Sequence, residues 1–490
     1  MSEISVGLHQ EDPHTAAPEE RSTAYYMFVL VAVLLLSETM TFTAILFWNA
    51  LPSMSALFTP AQLPWIVSVS LLVAAALQPL MGKLADIFGF RRLVLAVALT
   101  YVVGSLIGAL TSSFPLIMVA RVLQAPAIAI PGVIYSFFRG FFPKRMVPIA
   151  IGMSSTGIGV AGIAAPLISG ALLAAFGYHA IFWFCLIYMG VFAPIVFFVV
   201  PGGPRNRHRV DVLGSVLLTA GAGLLLFGVS EGPELGWTSP TTLVLLVAAV
   251  LLLVAFAVVE YRVREPMMDM RLLSGPALRA TLGVSLLVGA TSGGWGYVIP
   301  QLLEAERTAG IDYGFGLSAT QVGLVTLSSG IVGMLFGPLG GYLARRFSPR
   351  LVMLWCGSLA VMATVAMAFW HSRLWEYVVF GVLYGAFNGF YFAAGPNLVI
   401  EAVPARLTGV STGMQAFTSA FAGSAMPIVA TVILSANVLH TDSATHQVVY
   451  ASRGYTYVFL TLAVAGMVGF VLTAFMRHGR RPATGGAAAH

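Results

Sequence analysis

Glu38 and Arg121 are the two charged side chains that fall inside long apolar runs of this sequence. Glu38 stands in "LLLSETMTFTAILFWNALPSM" and Arg121 in "ARVLQAPAIAIPG". An ionisable group at membrane depth is expensive and marks a functional position by default. Burial favours the neutral acid, whereas a nearby cation favours the carboxylate. Glu38 can therefore alternate between a proton and a cationic ligand. Counted from Tyr25 it lies roughly 20 Å along a helix, close to the middle of a bilayer. Thr41, Phe42, Ile45 and Asn49 follow at helical spacing and give that helix a face both polar and apolar. Two opposite charges in hydrocarbon must be paired, hydrated or periodically neutralised. Arg121 lies about six residues, roughly 9 Å, from the outer end of its span and Glu38 nearer the centre, so a direct pair, a water bridge and a bridge through Thr43 all stay open. Arg121 has a second reading, a structural arginine bonded to helix carbonyls.

A second group of candidates lies late in the chain. "YGAFNGFYFAAGPN" (384–397) places Tyr384, Asn388 and Tyr391 on about one helical face, and Trp295 and Tyr297 stand in an earlier run. Together they offer an apolar, aromatic wall with few polar groups, the usual composition of a small-molecule site. Aromatic faces also hold organic cations. The competing reading is ordinary packing.

The elements that position these residues must be membrane helices. Only 9% of the residues are charged and 58% are hydrophobic, with a mean hydropathy of +0.89. A soluble domain carries about 25% charged residues. A spanning helix needs about 20 mostly apolar residues. Fourteen segments qualify, roughly 25–51, 64–82, 93–111, 115–138, 147–175, 180–200, 211–231, 241–261, 277–300, 319–343, 351–371, 375–399, 407–434 and 453–476. If the N-terminus is cytoplasmic, every Lys and Arg except Arg121, Arg307, Arg373 and Arg453 falls on the cytoplasmic side. That is the positive-inside pattern, and it accounts for a net charge of +6 without nucleic acid. Both termini are then cytoplasmic, in a multi-pass plasma-membrane protein of bacterial type. The polar start of the chain lacks the features of a cleaved signal peptide.

The sequence also repeats itself. "PLMGKLADIFGFRR" (79–92) returns as "PLGGYLARRFSPR" (338–350), with Arg345 where Asp86 stood. "GMSSTG" (152–157) returns as "GVSTG" (409–413), and "PKR" (143–145) as "PAR" (404–406). Self-similarity on this scale indicates duplicated bundles, here in the same orientation, with a binding site between them near the midplane. The expected fold is all-α: two six-helix bundles related by a parallel repeat, plus two inserted helices of structural role. The expected division is a disordered tail (1–23), a first bundle (24–200), the two-helix insertion with its linkers (201–276), a second bundle (277–476) and a C-terminal tail (477–490). Residues 301–321 are expected to form a loop.

"GKLADIFGFRR" resembles the loop signature of the major facilitator superfamily through Gly82, Leu84, Ala85, Asp86, Gly89, Arg91 and Arg92. The fourteen spans further resemble its drug:proton antiporter branch, over nearly the whole chain. The resemblance implies a cytoplasmic latch in which Gly82, Asp86, Gly89, Arg91 and Arg92 meet the helix beginning near Leu407. It implies a part in proton coupling for Arg121, since "RVLQ" resembles the family's helix-4 motif, although Ala125 replaces its glycine. Gln124 in that motif joins the candidate binding residues. It also implies an antiporter packing element at "GIGVAGIAAPLISGALL", where Pro166 and Gly170 match and Ala161, Ala165 and Ser169 replace glycines. The family's first-helix aspartate falls at Thr43, so Glu38 is its candidate substitute from a deeper position.

Cys185 and Cys356 are isolated, which argues against disulfides and thiolate metal sites. The phosphate loop Gly-x-x-x-x-Gly-Lys-Ser/Thr is missing, which argues against ATP drive within the chain. The reading is a secondary transporter with no metal or cofactor. It exports lipophilic or cationic compounds in exchange for protons by alternating access, and functions as a monomer among membrane lipids. The alternatives are symport or facilitated diffusion of a specific metabolite or lipid and, more remotely, a sensor or scaffold.

Overall fold

A computed structural model describes residues 22–130, 133–134, 137–138, 141–143, 146–202, 211–263, 268, 270–307, 313–403, 408–441 and 448–482. The first span is made of α1 (Thr23–Ser37) and α2 (Thr39–Met54), which meet at Glu38. The rest of the first bundle is α3 (Leu63–Phe88), α4 (Phe90–Leu110), α5 (Phe114–Ile128), α6 (Val147–Phe176) and α7 (His179–Val199). The inserted pair is α8 (Val212–Leu235) and α9 (Pro240–Arg262). The second bundle is α10 (Pro276–Glu304), α11 (Ala319–Arg346), α12 (Pro349–Phe369), α13 (Leu374–Ala402), α14 (Thr408–Ser435) and α15 (Ser452–Phe475). Among the described residues twelve helices are long and apolar enough to cross a membrane. Two shorter apolar helices, Leu63–Gln78 and Phe114–Ile128, bring the spans to fourteen.

The duplication is visible in the packing. In the first bundle α4 packs on α5 and α7, α3 on α5, and α2 on α6; in the second, α12 packs on α13 and α15, α11 on α13, and α10 on α14. Each contact in one half has its counterpart in the other. The halves meet along two seams, α6 against α11 and α3 against α14.

Small residues explain the first seam. A Cβ at Gly162 would come within 3.9 Å of the Gly330 Cα, and one at Gly323 would lie 2.6 Å from the Pro166 carbonyl. Without side chains between them the two backbones approach closely, as in small-residue membrane interfaces.

The inserted pair does not stand apart from the second seam. Leu72 on α3, Ala222 and Leu226 on α8, and Ile428 on α14 share one buried cluster. The Trp65 indole N–H donates to Ser230 Oγ at 3.2 Å. So α8 lies over the line where α3 meets α14. The chain returning from α9 continues the cover: Met268, Leu278 and Leu282 pack with Ala76 and Leu80 of the first bundle and Met414 of the second.

Residues 435–452 contain a feature the helical pattern did not announce, a hairpin of β1 (Val438–Thr441) and β2 (Val448–Tyr450). Val448 and Val449 are β-branched and suit a strand. The hairpin ties the long connection after α10, since the Tyr313 hydroxyl donates to the Tyr450 carbonyl at 2.6 Å. Of 301–321, residues 301–304 complete α10 and 319–321 begin α11, so the loop is shorter than expected, and its described part is pinned rather than loose.

Candidate functional site

Glu38 occupies the joint between α1 and α2 and is only 4% exposed. Its backbone stays helical, with the Glu38 N–H bonded to Leu34 and the Phe42 N–H bonded to the Glu38 carbonyl. The Thr41 hydroxyl donates to Glu38 Oε2 at 3.0 Å. The other oxygen, Oε1, lies 2.6 Å from the point where Gly157 of α6 would carry a Cβ.

The other residues expected on that face fan around the helix. Phe42 packs on Phe184 and Tyr188 of α7, with ring centroids 5.8 and 5.2 Å away. The Asn49 amide donates to Ser169 Oγ on α6 at 2.8 Å. Ile45 is half-buried. The Asn49 contact explains one departure from the family pattern: the serine that replaces a glycine receives a hydrogen bond.

Arg121 is completely buried and does not meet Glu38. Its Nε donates to the Ile66 carbonyl at 2.7 Å, one terminal nitrogen to Gln124 Oε1 at 2.6 Å, and the other to Ser70 Oγ at 2.6 Å. The guanidinium also lies 3.7 Å from the centroid of the Phe47 ring. Gln124 passes the network on, donating to Ser105 Oγ at 2.8 Å. Thr43 is no bridge either, because its hydroxyl is hydrogen-bonded to the Tyr101 hydroxyl at 2.6 Å. Of the open alternatives the direct pair and the Thr43 bridge thus fall away: neutral partners from α3 and α5 surround Arg121, and a separate hydroxyl clamp holds Glu38. The reason is helical geometry. Phe47, beneath the guanidinium, is nine residues from Glu38, about 13.5 Å along the span.

In the second bundle the aromatic candidates divide. Trp295 stacks on Tyr384 with centroids 4.6 Å apart and planes 6° from parallel. The Tyr384 hydroxyl donates to the Ser292 carbonyl, and Ser292 Oγ donates to Asn388 Oδ1 at 3.1 Å. Trp295, Tyr384 and Asn388 therefore form one group. Tyr297 is turned to α14 and bonded to Thr431 at 2.6 Å. Tyr391 is buried and packs toward Gly395 and Gln415. Tyr297 is two residues from Trp295, about 200° around the helix, whereas Tyr391 keeps about the face of Tyr384 but lies seven residues, about 10.5 Å, further along α13.

The group's contacts lie within the second bundle, where Trp295 also meets the Phe459 ring edge-on at 6.0 Å. Gly296, next to Trp295, receives the indole of Trp48: a Cβ there would lie 2.7 Å from the ring. Trp48 Nε1 is buried with no hydrogen-bond partner among the described residues. This contact joins α2 to α10 at the end of the molecule opposite the basic loops.

Of the latch residues, the surroundings of Gly82 and the side chain of Asp86 lie outside what is described, as does Leu407. Gly89 ends α3 at φ 79°, a left-handed conformation suited to glycine, and begins α4. The Arg91 guanidinium lies over the Phe197 ring at 4.1 Å, and Arg92 is exposed. Pro166 and Gly170 both lie on α6 where it packs against α11. A Cβ at Gly170 would stand 2.4 Å from the Thr320 Cα.

A model of the Major Facilitator Superfamily matches residues 27–305 and 281–489. The chain belongs to this superfamily of membrane transporters. It is 28% identical over 447 residues to the "Tetracenomycin C resistance and export protein" of Streptomyces glaucescens, covering 89% of this chain and 81% of that protein. It is 25% identical over 375 residues to the "Multidrug resistance protein Stp" of Mycobacterium tuberculosis, covering 75% and 68%. Among solved structures, a bacterial homologue of the human lysosomal transporter Spinster, inward-facing and unoccupied, superposes with a TM-score of 0.65. It is 15% identical and the match covers 93% of this chain and 98% of that one. A POT family peptide transporter gives 0.64 at 17% identity, covering 92% and 97%. These likenesses establish the fold.

For this superfamily member, a transporter of small molecules, sequence reasoning missed several residues that organise the site. Ser70, Ser105 and Tyr101 are polar residues dispersed in apolar runs, and nothing in their local spacing links them to Arg121 or Thr43. Trp48 was legible only as one more aromatic residue. Gly157 had a signal, since it closes the repeated "GMSSTG" stretch.

Proposed function

We propose that this protein is a proton-driven exporter of lipophilic, often cationic compounds, working by alternating access between its two bundles. Glu38 carries the reading. It is a buried carboxylate on the first span, held by a threonine hydroxyl and not neutralised by the buried arginine. A carboxyl in that setting gains or loses a proton far more readily than it tolerates a permanent charge. The export and resistance proteins among its relatives support the direction of transport and the class of cargo. Trp295, Tyr384 and Asn388 form the wall of the cargo site in the second bundle. Arg121 holds α5 to α3 so that the first bundle moves as one body.

In this reading the basic loops and both termini are cytoplasmic, the membrane is the plasma membrane, and Trp48 on Gly296 closes the outer end. Residues 24–200 and 277–476 are the rocking units, with 201–276 bracing the α3–α14 seam. The protein acts as a monomer, exchanges protons for cargo, and performs no covalent chemistry. The latch residues around Asp86 set the balance between inward-open and outward-open states.

The test is uptake into everted vesicles with an imposed pH gradient. Glu38→Gln imitates the protonated carboxyl permanently. It is expected to retain cargo exchange while losing gradient-driven accumulation. Gradient-driven accumulation equal to wild type would remove Glu38 as the proton carrier.

A further inference from the structure

Gly157 is the last residue of a stretch that appears in both halves of the sequence, and its place in the fold is specific. A side chain there would begin 2.6 Å from Glu38 Oε1, 3.4 Å from its Cδ and 3.7 Å from its Cγ. The carboxyl of Glu38 fills the space that any other residue on α6 would fill itself. With Oε2 held by Thr41, the group is fixed from both sides.

The opposite side of α6 meets the other bundle. Gly159, two residues on, would put a Cβ 2.5 Å from Met334 of α11, and Gly162 faces Gly330. The helix that receives the carboxyl therefore also forms the seam between the halves. We infer that Gly157 is a positioning residue for coupling: it provides the notch in which the protonated Glu38 carboxyl lies dry against α6, within one helical turn of the α6–α11 seam. This rests on Glu38 being the proton carrier.

The physical argument is one of solvation. A neutral carboxyl can be packed against a helix with one hydroxyl partner, whereas a carboxylate there needs water or a cation. Of the elements around the group, α2 contributes Thr41 and the described side chains of α6 contribute none that titrate. From α7, Tyr188 packs on Phe42, and its hydroxyl donates to the Leu35 carbonyl. No described cation faces the notch. Loss of the proton therefore favours withdrawal of the carboxyl from α6, the helix whose other side forms the seam. Because the atom that a Cβ would meet is the free end of a flexible side chain, Gly157→Ala moves the carboxyl rather than the helix.

The experiment pairs two changes of opposite size. Gly157→Ala adds a methyl group to the notch, displacing the carboxyl by about 1 Å to reach ordinary contact. Glu38→Asp withdraws the carboxyl by one methylene. Each purified variant is reconstituted in liposomes, and cargo-dependent proton release is recorded across pH 5.5–9, with monodispersity and melting temperature as fold controls. Each single variant is expected to lose roughly 10- to 100-fold in coupled flux, the scale of a 1 Å misplacement. The double variant is expected to exceed both, because the shorter acid fits the filled notch.

A well-folded Gly157→Ala protein with the wild-type flux and pH profile overturns the inference. So does a double variant no better than the weaker single one. Should Gly157→Ala assemble poorly, the pH dependence of carbodiimide modification at position 38 in Glu38→Asp carries the test, and an unchanged midpoint refutes it. Glu38→Gln in the same liposomes separates the two ideas. If it keeps gradient-driven flux, the proton-carrier reading fails; if it loses flux while Gly157→Ala does not, only the notch fails.

Discussion

Replacing Gly170 by alanine puts a methyl carbon 2.4 Å from the Thr320 Cα, 2.6 Å from its nitrogen and 2.8 Å from the Ala319 carbonyl oxygen. All three are backbone atoms at the start of α11, so no rotamer change can relieve the clash. Ordinary carbon–carbon contact is about 3.5–4.0 Å, so α6 and α11 must part by about 1 Å or more at this end. Overpacking of a close interface costs about 1–3 kcal/mol. The cost falls on the state in which the outer ends of the two helices touch, and it vanishes when they separate. Gly170→Ala should therefore shift the equilibrium toward the outward-open state by about 5- to 150-fold. Hydrogen–deuterium exchange reports this directly. Peptides covering 45–56 and 292–304, which contain Trp48 and Gly296, should exchange faster in the variant, and peptides at the basic end should exchange more slowly. Exchange identical to wild type at both ends, in a protein that folds and inserts, would refute the claim that this seam opens during transport.

Two further outcomes follow from the site and the tail. Arg121→Met removes three charge-assisted hydrogen bonds, each worth about 1.5–3 kcal/mol, and should lower the melting temperature in detergent markedly. Taking the axial rise from Glu38 to Phe47, about 13.5 Å, as the scale of the separation, and an effective dielectric near 20, the lost charge interaction is about 1.2 kcal/mol. The transport optimum should then move to higher pH by less than about one unit, and a larger move would mean that the two groups interact directly. His478, beyond the end of α15, is bonded to Thr281 at 2.9 Å, and burial lowers its pKa from 6.5. The folded tail thus binds its proton less readily than a free one. Its docking is fully present above about pH 6.5 and is lost as pH falls toward the folded value. Proteolysis of residues 476–482 should accelerate between pH 7.5 and 5.5 in wild type, and His478→Gln should flatten that dependence.

Much of this molecule was legible because the bilayer is a demanding solvent. A chain with few charges must satisfy its backbone inside helices, so the spans could be counted from apolar length alone. The two copies of the loop motif disclosed the duplication, and the packing of α3 through α7 is repeated by α11 through α15 for that reason. Glu38 and Arg121 could be singled out because charge in hydrocarbon is costly wherever it stands. Gly170 and Pro166 were recognisable as a packing element because small residues spaced along one helix invite a neighbour.

Partnership was decided only in three dimensions. That Arg121 bonds to Ile66, Ser70 and Gln124 rather than to Glu38 depends on how α3 and α5 are rotated against each other, and local spacing does not encode that rotation. Tyr297 and Tyr391 share helices with the aromatic group yet stand outside it, Tyr297 because a two-residue step turns it around the helix and Tyr391 because it lies two turns further along the same face. The pairing of 438–441 with 448–450 depends on two strands of only four and three residues, too short to show a clear alternating pattern. The position of α8 over the α3–α14 seam is likewise invisible in its uniform apolar composition. The role of Gly157 shows the division most plainly: the sequence marks a glycine in a repeated stretch, but only the fold reveals that its missing side chain is replaced by the carboxyl of Glu38.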